Sequence, residues 1–359
     1  MVAVGYSDRA PARATGDRDG RARLATGLLA VLLLLAVLVS LQVGAAGTSL
    51  WAALSALAGG EPLSLADRVV MGQIRAPRTV MGAGVGAALA VSGAMMQGLF
   101  RNPLADPGIV GVGAGAGLGA IAAIVLAGLL PVALSDALGP YLVPVAAFSG
   151  GWCSTILLYR VATRRGRTSV AMMLLAGIAL GALAGAVSGV LVYMATDAQL
   201  RDLTFWGLGS LAGATWAKVA AGLPIMLPAL IAAPFLARGL NALALGEAQA
   251  FHSGIHVQRV KNAAILSVAA ATGAAVAMSG GIGFVGIVVP HLLRLACGPD
   301  HRHLLLNSAL LGAALLLLAD VVSRTIIAPS ELPIGIVTAV IGAPVFLWIL
   351  FRSRGVLDL

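Results

Sequence analysis

Charged residues are scarce in this chain: only 10% of its 359 residues are Asp, Glu, Lys or Arg. Ordinary soluble domains carry about 25%, so the composition excludes a water-soluble fold. Hydrophobic residues make up 59% of the sequence, and the mean hydropathy is +0.98. A helix needs about 20 apolar residues to cross the hydrocarbon core of a bilayer. The sequence therefore predicts an all-α protein that crosses a membrane many times.

Cysteine is nearly absent as well. Cys153 and Cys297 lie in separate apolar segments without a CxxC or Cys/His pattern, which excludes a disulfide framework and a zinc site. The five histidines have no spacing typical of a metal site, and no nucleophile and base stand together in the apolar segments. The net charge of +9 comes without the aromatic and basic pattern of nucleic-acid binding. We therefore expect no metal site, no catalytic residue, no cofactor in this chain and no nucleic-acid partner.

Ten apolar stretches are candidates for membrane-spanning helices. The first, residues 24–43, follows a polar tail and lacks a convincing cleavage site, so we interpret it as a retained helix and not as a signal peptide. The other nine are residues 79–100, 109–130, 140–162, 169–194, 217–237, 262–280, 283–297, 304–323 and 333–351. The sequence thus predicts a cytoplasmic N-terminal tail, residues 1–23, and a transmembrane domain, residues 24–359.

The basic residues orient these helices. With the N-terminus in the cytoplasm, 17 of the 23 Lys and Arg residues fall on the cytoplasmic side. The positive-inside rule then predicts that the N-terminus and the C-terminus are both cytoplasmic. The six basic residues left on the outer side are Arg68, Arg75, Arg78, Arg201, Lys218 and Arg324.

A short sequence occurs twice in the chain. Residues 86–93 (GAALAVSG) match residues 273–280 (GAAVAMSG) at six of eight positions. In the predicted topology the two copies run in opposite directions, as in the inverted repeats of many transporters. Chance similarity between sequences rich in Ala and Gly is the alternative. The repeat interpretation predicts two halves, at about residues 67–194 and 262–351.

Two prolines interrupt the apolar sequence at residues 101–108 (RNPLADPG), so the chain must leave helical geometry there. The glycine series that follows, residues 111–119, lacks the GxxxxGK[ST] pattern of a phosphate-binding loop. Such a series favours close helix packing or the lining of a pore.

A polar segment, residues 245–254 (LGEAQAFHSG), is compatible with a short helix in a cytoplasmic loop. It is either a connector or, with Glu247 and small neighbours such as Ala250, a helix suited to a groove on a cytoplasmic partner. The chain has no ATP-binding motif of its own. Energy from ATP would therefore have to come through that partner.

Three arginines, Arg75, Arg78 and Arg324, lie at outer helix ends, where the positive-inside rule disfavours them. Lipid phosphates or snorkelling could compensate their charge. Alternatively, the arginines pair with carboxylates of an acidic extracytoplasmic protein. Asp320 precedes Arg324 by four residues, so the two share a helix face and can neutralise each other, which weakens a proton-relay role for Asp320.

Together with these motifs, three long segments resemble the FecCD family, the permease subunits of binding-protein-dependent ABC importers for iron chelates, haem and vitamin B12. The segments start at Arg75 (RAPRTVMGAGVGAALAVSGAMMQGLFRNPLADPGIVGVGAGAGLGA), Gly280 (GGIGFVGIVVPHLLRLACGPDHR) and Ala319 (ADVVSRTIIAPSELPIGIVTAVIGAPVFLW).

The resemblance implies a type II ABC importer permease with about ten transmembrane helices and no enzymatic activity of its own. It implies a homodimer with the pathway between the two copies, two ATPase subunits that bind ATP and Mg, and a periplasmic binding protein. The cargo would be haem, a ferric siderophore or cobalamin, moved across the bacterial inner membrane by alternating access. A secondary carrier or channel built on the inverted repeat is the alternative function.

The resemblance also implies roles for single residues. Arg75, Arg78 and Arg324 are similar to outer arginines that pair with glutamates of the binding protein. Asn102 and Leu104 match positions near the inner gate of the pathway.

At the cytoplasmic side, Gly246, Glu247 and Ala248 fall in a loop that looks like the helices that couple the permease to the ATPases. Family members also carry small hydroxyl residues before the fifth helix. Thr168 and Ser169 are shifted by two positions from that place, so this part of the gate stays unassigned.

Overall fold

The computed structural model describes residues 18–44, 49–51, 55, 58–59, 64–164 and 167–352, most of which are helical. The α-helices, in chain order, are α1 (Arg18–Gln42), α2 (Leu65–Val69), α3 (Ala76–Phe100), α4 (Val112–Leu126), α5 (Val132–Leu138), α6 (Leu142–Ala162), α7 (Val170–Met194), α8 (Asp197–Leu208), α9 (Trp216–Ala244), α10 (Glu247–His252), α11 (Val257–Ser279), α12 (Val285–Cys297), α13 (His301–Thr325) and α14 (Ile334–Arg352).

Shorter elements connect some of these helices. A π-helical turn joins α2 to α3, and a two-stranded antiparallel hairpin precedes α7. The π-helical turn is Val70–Arg75, the 3-10 turns are Pro107–Val110, Ala127–Leu129 and Gly139–Tyr141, and the strands are β1 (Thr163–Arg164) and β2 (Arg167–Thr168).

The predicted polytopic all-α fold is confirmed. Among the described residues, nine helical segments are long and apolar enough to cross a membrane. The remaining predicted stretch, residues 283–297, forms α12, which has only 13 residues and is therefore shorter than a full span. α1 begins at Arg18, six residues before the predicted start of the transmembrane domain, and residues 1–17 of the predicted tail lie outside the described residues.

Helix α8 was not predicted from the sequence, nor were the shorter helices α2 and α5. α8 is short and carries charged residues such as Arg201 and Asp202, so a search for apolar spans passes over it. Its N-terminus does carry a recognisable signal, a capping box. The Thr196 hydroxyl accepts a hydrogen bond from the Gln199 amide (3.4 Å), and the Gln199 side chain accepts one from the Thr196 amide (2.9 Å).

Helix α3 forms the centre of the fold. In its most apolar stretch of 18 residues, 89% of the residues are buried. The helices that surround it are α9, α11, α12 and α13. Close backbone approach makes this possible: Gly86 lies against the Gly312 backbone in α13, and Gly93 lies against the Gly286 backbone in α12. Because small residues let helices approach closely in a membrane, glycine at these positions sets the packing of the core.

The two similar sequences, residues 86–93 and 273–280, belong to the buried helices α3 and α11. Both helices end at a residue with a positive φ, Arg101 (φ 51°) and Gly280 (φ 72°). The inverted repeat itself and its halves, residues 67–194 and 262–351, stay a prediction.

The glycine series at the start of α4 serves mainly in helix packing. Gly115 lies against the Gly150 backbone of α6, and Gly119 lies against the Ala146 backbone one turn away. Gly117 has no atom within 4 Å of the position where a Cβ would stand.

The glycine contacts of α3 predict that alanine destabilises the fold at a tightly packed glycine but not at an open one. We expect Gly93→Ala to lower the midpoint of thermal unfolding by several degrees, because an added methyl group collides with the Gly286 backbone and such overpacking costs about 1–3 kcal/mol. Gly117→Ala serves as the control, since alanine favours a helix over glycine and meets no neighbour there. Thermal unfolding of the purified variants in detergent measures both effects; equal midpoints would contradict this account of the core.

Candidate functional site

A cluster of charged side chains stands at the predicted outer ends of α1, α3 and α13. Arg78 donates hydrogen bonds from Nε and Nη2 to the Asp320 carboxylate, at 2.9–3.1 Å. Its two terminal nitrogens also reach the Glu331 carboxylate, at 2.8 and 3.0 Å. Arg324 Nε lies 3.6 Å from the second oxygen of Asp320. The predicted pairing of Asp320 and Arg324 is therefore confirmed, and Arg78 joins it.

The other two arginines of the cluster cap helix α1. The last carbonyls of a helix have no partner within the helix, and cations are favourable there. α1 has no basic residue in its own last turn. Instead, Arg324 donates to the Ser40 carbonyl (2.8 Å), and Arg75 donates to the Leu41 and Gln42 carbonyls (2.7 and 3.0 Å).

All three outer arginines are thus buried and bound within the chain. Neither lipid phosphate nor snorkelling is needed to account for their charge. The carboxylates differ in exposure: the Asp320 side chain is 1% exposed, whereas the Glu331 side chain is 37% exposed. A hydrogen bond from the Leu332 amide to the Ser323 carbonyl (2.9 Å) holds the segment that carries Glu331 against α13.

The proline-broken segment after α3 leaves helical geometry as predicted. Arg101 has a left-handed backbone (φ 51°) at the end of the helix. The Asn102 side chain then accepts a hydrogen bond from the Leu104 amide (2.9 Å), and Asp106 accepts one from the Gly108 amide (2.7 Å). Asn102 is exposed and Leu104 is half-buried. The two predicted gate residues therefore form one local turn.

The predicted cytoplasmic helix is present as α10. It begins after Gly246, whose φ of 113° favours glycine. Glu247 accepts a 2.6 Å salt bridge from Lys261 of α11, and the same ammonium donates to the Thr168 carbonyl at 2.9 Å. Lys261 is buried, whereas Ala248 is exposed. One lysine thus joins α10 to the residues just before α7, a link that the sequence did not indicate.

Thr168 and Ser169 lie at that same junction. Ser169 is the N-cap of α7 and accepts a hydrogen bond from the Met172 amide (3.3 Å). Thr168 is buried, and its hydroxyl accepts a hydrogen bond from the Gln258 side chain of α11 (2.6 Å). The hydroxyl residues before α7 therefore fix the start of this helix.

Two cavities border Trp206 of α8. One has a volume of about 370 Å³ and is lined by Asp202 and Lys218 among others. The other, of about 360 Å³, is lined by Asp106 and by Thr272, whose buried hydroxyl has no hydrogen-bond partner in the described part of the chain. In that same part, no three His, Cys, Asp or Glu side chains form a group that could hold a metal ion.

Comparisons with known proteins agree with this architecture. The FecCD transport family matches residues 32–352. The hemin transport system permease protein HmuU of Yersinia pestis is 42% identical over 337 residues, which cover 92% of this chain and 96% of that protein. The cobalamin import system permease protein BtuC of Halobacterium salinarum is 44% identical over 289 residues, covering 80% of this chain and 75% of that protein.

A further relative is the vitamin B12 import system permease protein BtuC of Salmonella typhi, 44% identical over 327 residues, which cover 90% of this chain and 94% of that protein. Among solved structures, one described as the inward-facing conformation of a metal-chelate type ABC transporter superimposes with a TM-score of 0.78 at 31% identity. It covers 92% of this chain and 99% of that one. The chain is therefore a multi-pass membrane protein that belongs to the FecCD transport family of ABC importer permeases.

Proposed function

We propose that the chain is the permease subunit of an ATP-driven importer that moves an iron chelate, such as haem or a ferric siderophore, or cobalamin. The observation that carries this proposal is the similarity, over nine-tenths of both chains, to permeases named for hemin and vitamin B12 transport. ATP and Mg bind to two separate ATPase subunits, and the permease itself is not an enzyme. It lies in the bacterial inner membrane with both termini in the cytoplasm and works by alternating access.

The exposure of α7 supports a homodimer. Only 6% of its most apolar window is buried, the lowest share among the spanning helices of the described chain. Gly181, Gly185 and Gly189 repeat every fourth residue along it, and an added Cβ at any of them would meet no atom within 4 Å. Glycines at this spacing let two helices approach closely. In our proposal a second copy of the chain stands opposite α7, with the pathway between the copies.

Asn102 and Leu104 take the inner-gate role in this proposal. Their turn follows the buried helix α3 and lies on the predicted cytoplasmic side. The Asn102 side chain and a backbone hydrogen bond from the Ala105 amide to the Asn102 carbonyl (3.1 Å) hold this turn. Because these bonds lie outside the ladder of α3, the turn can rearrange without unfolding the helix before it. Such a segment is suited to open and close the inner end of a pathway.

The outer arginines dock the periplasmic binding protein in this proposal. Arg78 and Arg324 share the Asp320 carboxylate, and Arg78 also binds Glu331. Asp320 is buried and pairs with Arg78 within the helix bundle, whereas Glu331 pairs with Arg78 and is itself accessible. A glutamate of the binding protein would reach Arg78 by replacing Glu331, since the two carboxylates would compete for the same two nitrogens.

The helix α10 with Gly246, Glu247 and Ala248 transmits the movement of the ATPases. Leu245 and Phe251 stand largely exposed at its two ends, and such apolar groups suit a groove on another protein. Lys261 carries the movement further, because its ammonium binds Glu247 and the Thr168 carbonyl together. In this proposal a shift of α10 moves the start of α7, the helix that faces the pathway.

The proposed class of transport predicts a dependence on ATP. Uptake of radiolabelled cargo into vesicles that hold the permease, its ATPase and its binding protein should require ATP, and vanadate should abolish it. Uptake that persists without ATP would instead favour a secondary carrier or channel.

The proposed docking geometry predicts that Glu331→Gln strengthens binding of the periplasmic protein, by about 5-fold. The neutral amide competes less well for Arg78, and a pair with a partly exposed carboxylate such as Glu331 is worth about 1 kcal/mol. Biolayer interferometry with the permease complex in nanodiscs measures this affinity. The gain should shrink at high salt, because salt screens the accessible carboxylates that compete for Arg78.

Asp136→Asn is the matched control, because it removes an exposed carboxylate of α5 that lies outside the arginine cluster. Its affinity should equal that of the unmodified chain. Glu331→Gln is a cleaner test than reversal of Arg78, which would leave the buried Asp320 unpaired and endanger folding. An affinity that is unchanged or lower in Glu331→Gln would contradict the proposed competition.

The contacts of Lys261 with Glu247 and Thr168 predict that Lys261→Met uncouples cargo transport from ATP hydrolysis. Methionine fills the space of the lysine stem but cannot bind Glu247 and the Thr168 carbonyl, so movement of α10 would no longer reach α7. We expect the amount of cargo transported per ATP hydrolysed to fall at least 5-fold. Parallel assays of uptake and phosphate release in proteoliposomes measure this ratio.

Arg259→Gln is the control for this experiment, since Arg259 is an exposed basic residue of the same helix. It should leave the ratio unchanged. Glu247→Gln added to Lys261→Met should cause little further loss, because both substitutions break the same link. If Lys261→Met folds, as judged by its elution and unfolding temperature, and keeps the normal ratio, the link has no coupling role.

A further inference from the structure

A basic cleft lies at the predicted cytoplasmic ends of α1 and α12, and it shares no lining residue with the arginine cluster, the proline-broken turn or α10. Its volume is about 280 Å³. Its charged walls are Arg18 and Arg21 from the first turn of α1 and Arg294 from the last turn of α12. The connection between α12 and α13, residues 295–299, forms the rest of the lining. We call this feature the inner basic cleft.

Contacts within the chain hold one of its arginines in place. Arg294 donates from Nε to the Gln97 side chain (3.2 Å), and its Nη2 lies 3.4 Å from His301 Nε2. Arg18 and Arg21 line the same cleft and are exposed. The cleft therefore combines one fixed guanidinium group with two that are accessible to a ligand.

Neighbouring acids do not neutralise the inner basic cleft. Asp19 lies 3.7 Å from His303, and Asp300 forms a 2.6 Å pair with Arg302. The hydrogen bond from Arg302 is the main cause that lowers the pKa of Asp300, so the charge of this carboxylate is engaged outside the cleft. Within the described part of the chain, no carboxylate forms an ion pair with Arg18, Arg21 or Arg294. Three guanidinium groups around one cavity favour a phosphate group, which they can bind in bidentate geometry.

An apolar stripe continues from the cleft along α1. Leu24, Leu28, Val31 and Leu35 follow Arg21 at intervals of three and four residues, so all of them share its helix face. Each of these side chains is more than half exposed, from 66% at Leu24 to 53% at Leu35. A free phosphate ion would use only the arginines, whereas a phospholipid would use the arginines and the stripe together.

We propose that the inner basic cleft binds the phosphate of an anionic phospholipid, with the acyl chains along the Leu24 to Leu35 stripe of α1. Basic pockets between transmembrane helices on the cytoplasmic side are suited to such head groups. The site concerns the lipid around the permease and does not depend on which cargo the importer carries.

Native mass spectrometry of the purified full chain tests the site. The chain is titrated with phosphatidylglycerol and, separately, with phosphatidylcholine of the same acyl chains. We expect phosphatidylglycerol to bind the unmodified chain and phosphatidylcholine to bind at least 10-fold more weakly. The double variant Arg18→Gln/Arg21→Gln should bind phosphatidylglycerol about 25-fold more weakly, since each arginine near the membrane surface contributes about 5-fold.

Arg23→Gln is the matched control, because Arg23 is an exposed arginine of α1 two residues after Arg21 and does not line the cleft. It should bind phosphatidylglycerol as the unmodified chain does. Equal binding by the double variant, or an equal loss in Arg23→Gln, would overturn the site. Displacement of the lipid by about 10 mM inorganic phosphate would overturn the lipid assignment and identify a site for the free ion.

Discussion

The buried carboxylate of Asp320 is the constraint on which the outer half of the molecule depends. A charge that is removed from water must be paired, and this carboxylate is paired by Arg78 of α3 and Arg324 of α13. Because Arg324 also caps the last carbonyls of α1, three helices meet at one ionic cluster. α3 is the most buried helix of the described chain, so the cluster fixes the end of the element around which the other helices are arranged.

The proposed functions at the two ends of the protein both depend on an exposed carboxylate that is paired with a buried cation. At the outer end, Glu331 is accessible while Asp320 is not, so a partner can exchange one carboxylate without disturbing the charge that holds the helices together. At the inner end, Glu247 is half-exposed while Lys261 is buried. In both places a surface carboxylate binds a buried cation. In our proposal, a partner that moves or replaces the carboxylate would therefore also shift the buried cation and the helix that carries it.

Hydropathy predicted ten spans, of which nine are, in the described part of the chain, helices long enough to cross a membrane, because lipid admits only backbone that satisfies its own hydrogen bonds. It also placed Arg75, Arg78 and Arg324 at helix ends. Their partners could not be predicted: Arg78 and Asp320 are 242 positions apart in sequence, and no local spacing connects them. Nor did the sequence reveal that Lys261 bridges Glu247 and Thr168. This contact depends on how α10 and the start of α7 pack against α11. The helix α8 did have a local signal, the Thr196 and Gln199 capping box.

Hydropathy also fails to separate helices that face lipid from helices that face protein. α1 and α7 are both strongly apolar and little buried in the single chain. Both also expose large apolar side chains, such as Leu24 and Leu28 on α1 and Leu175 and Ile178 on α7, which lipid solvates well. What distinguishes α7 is a glycine at every fourth position from Gly181 to Gly189. Such a row lets a second backbone come close, so in our proposal the glycines of α7 meet another copy of the chain.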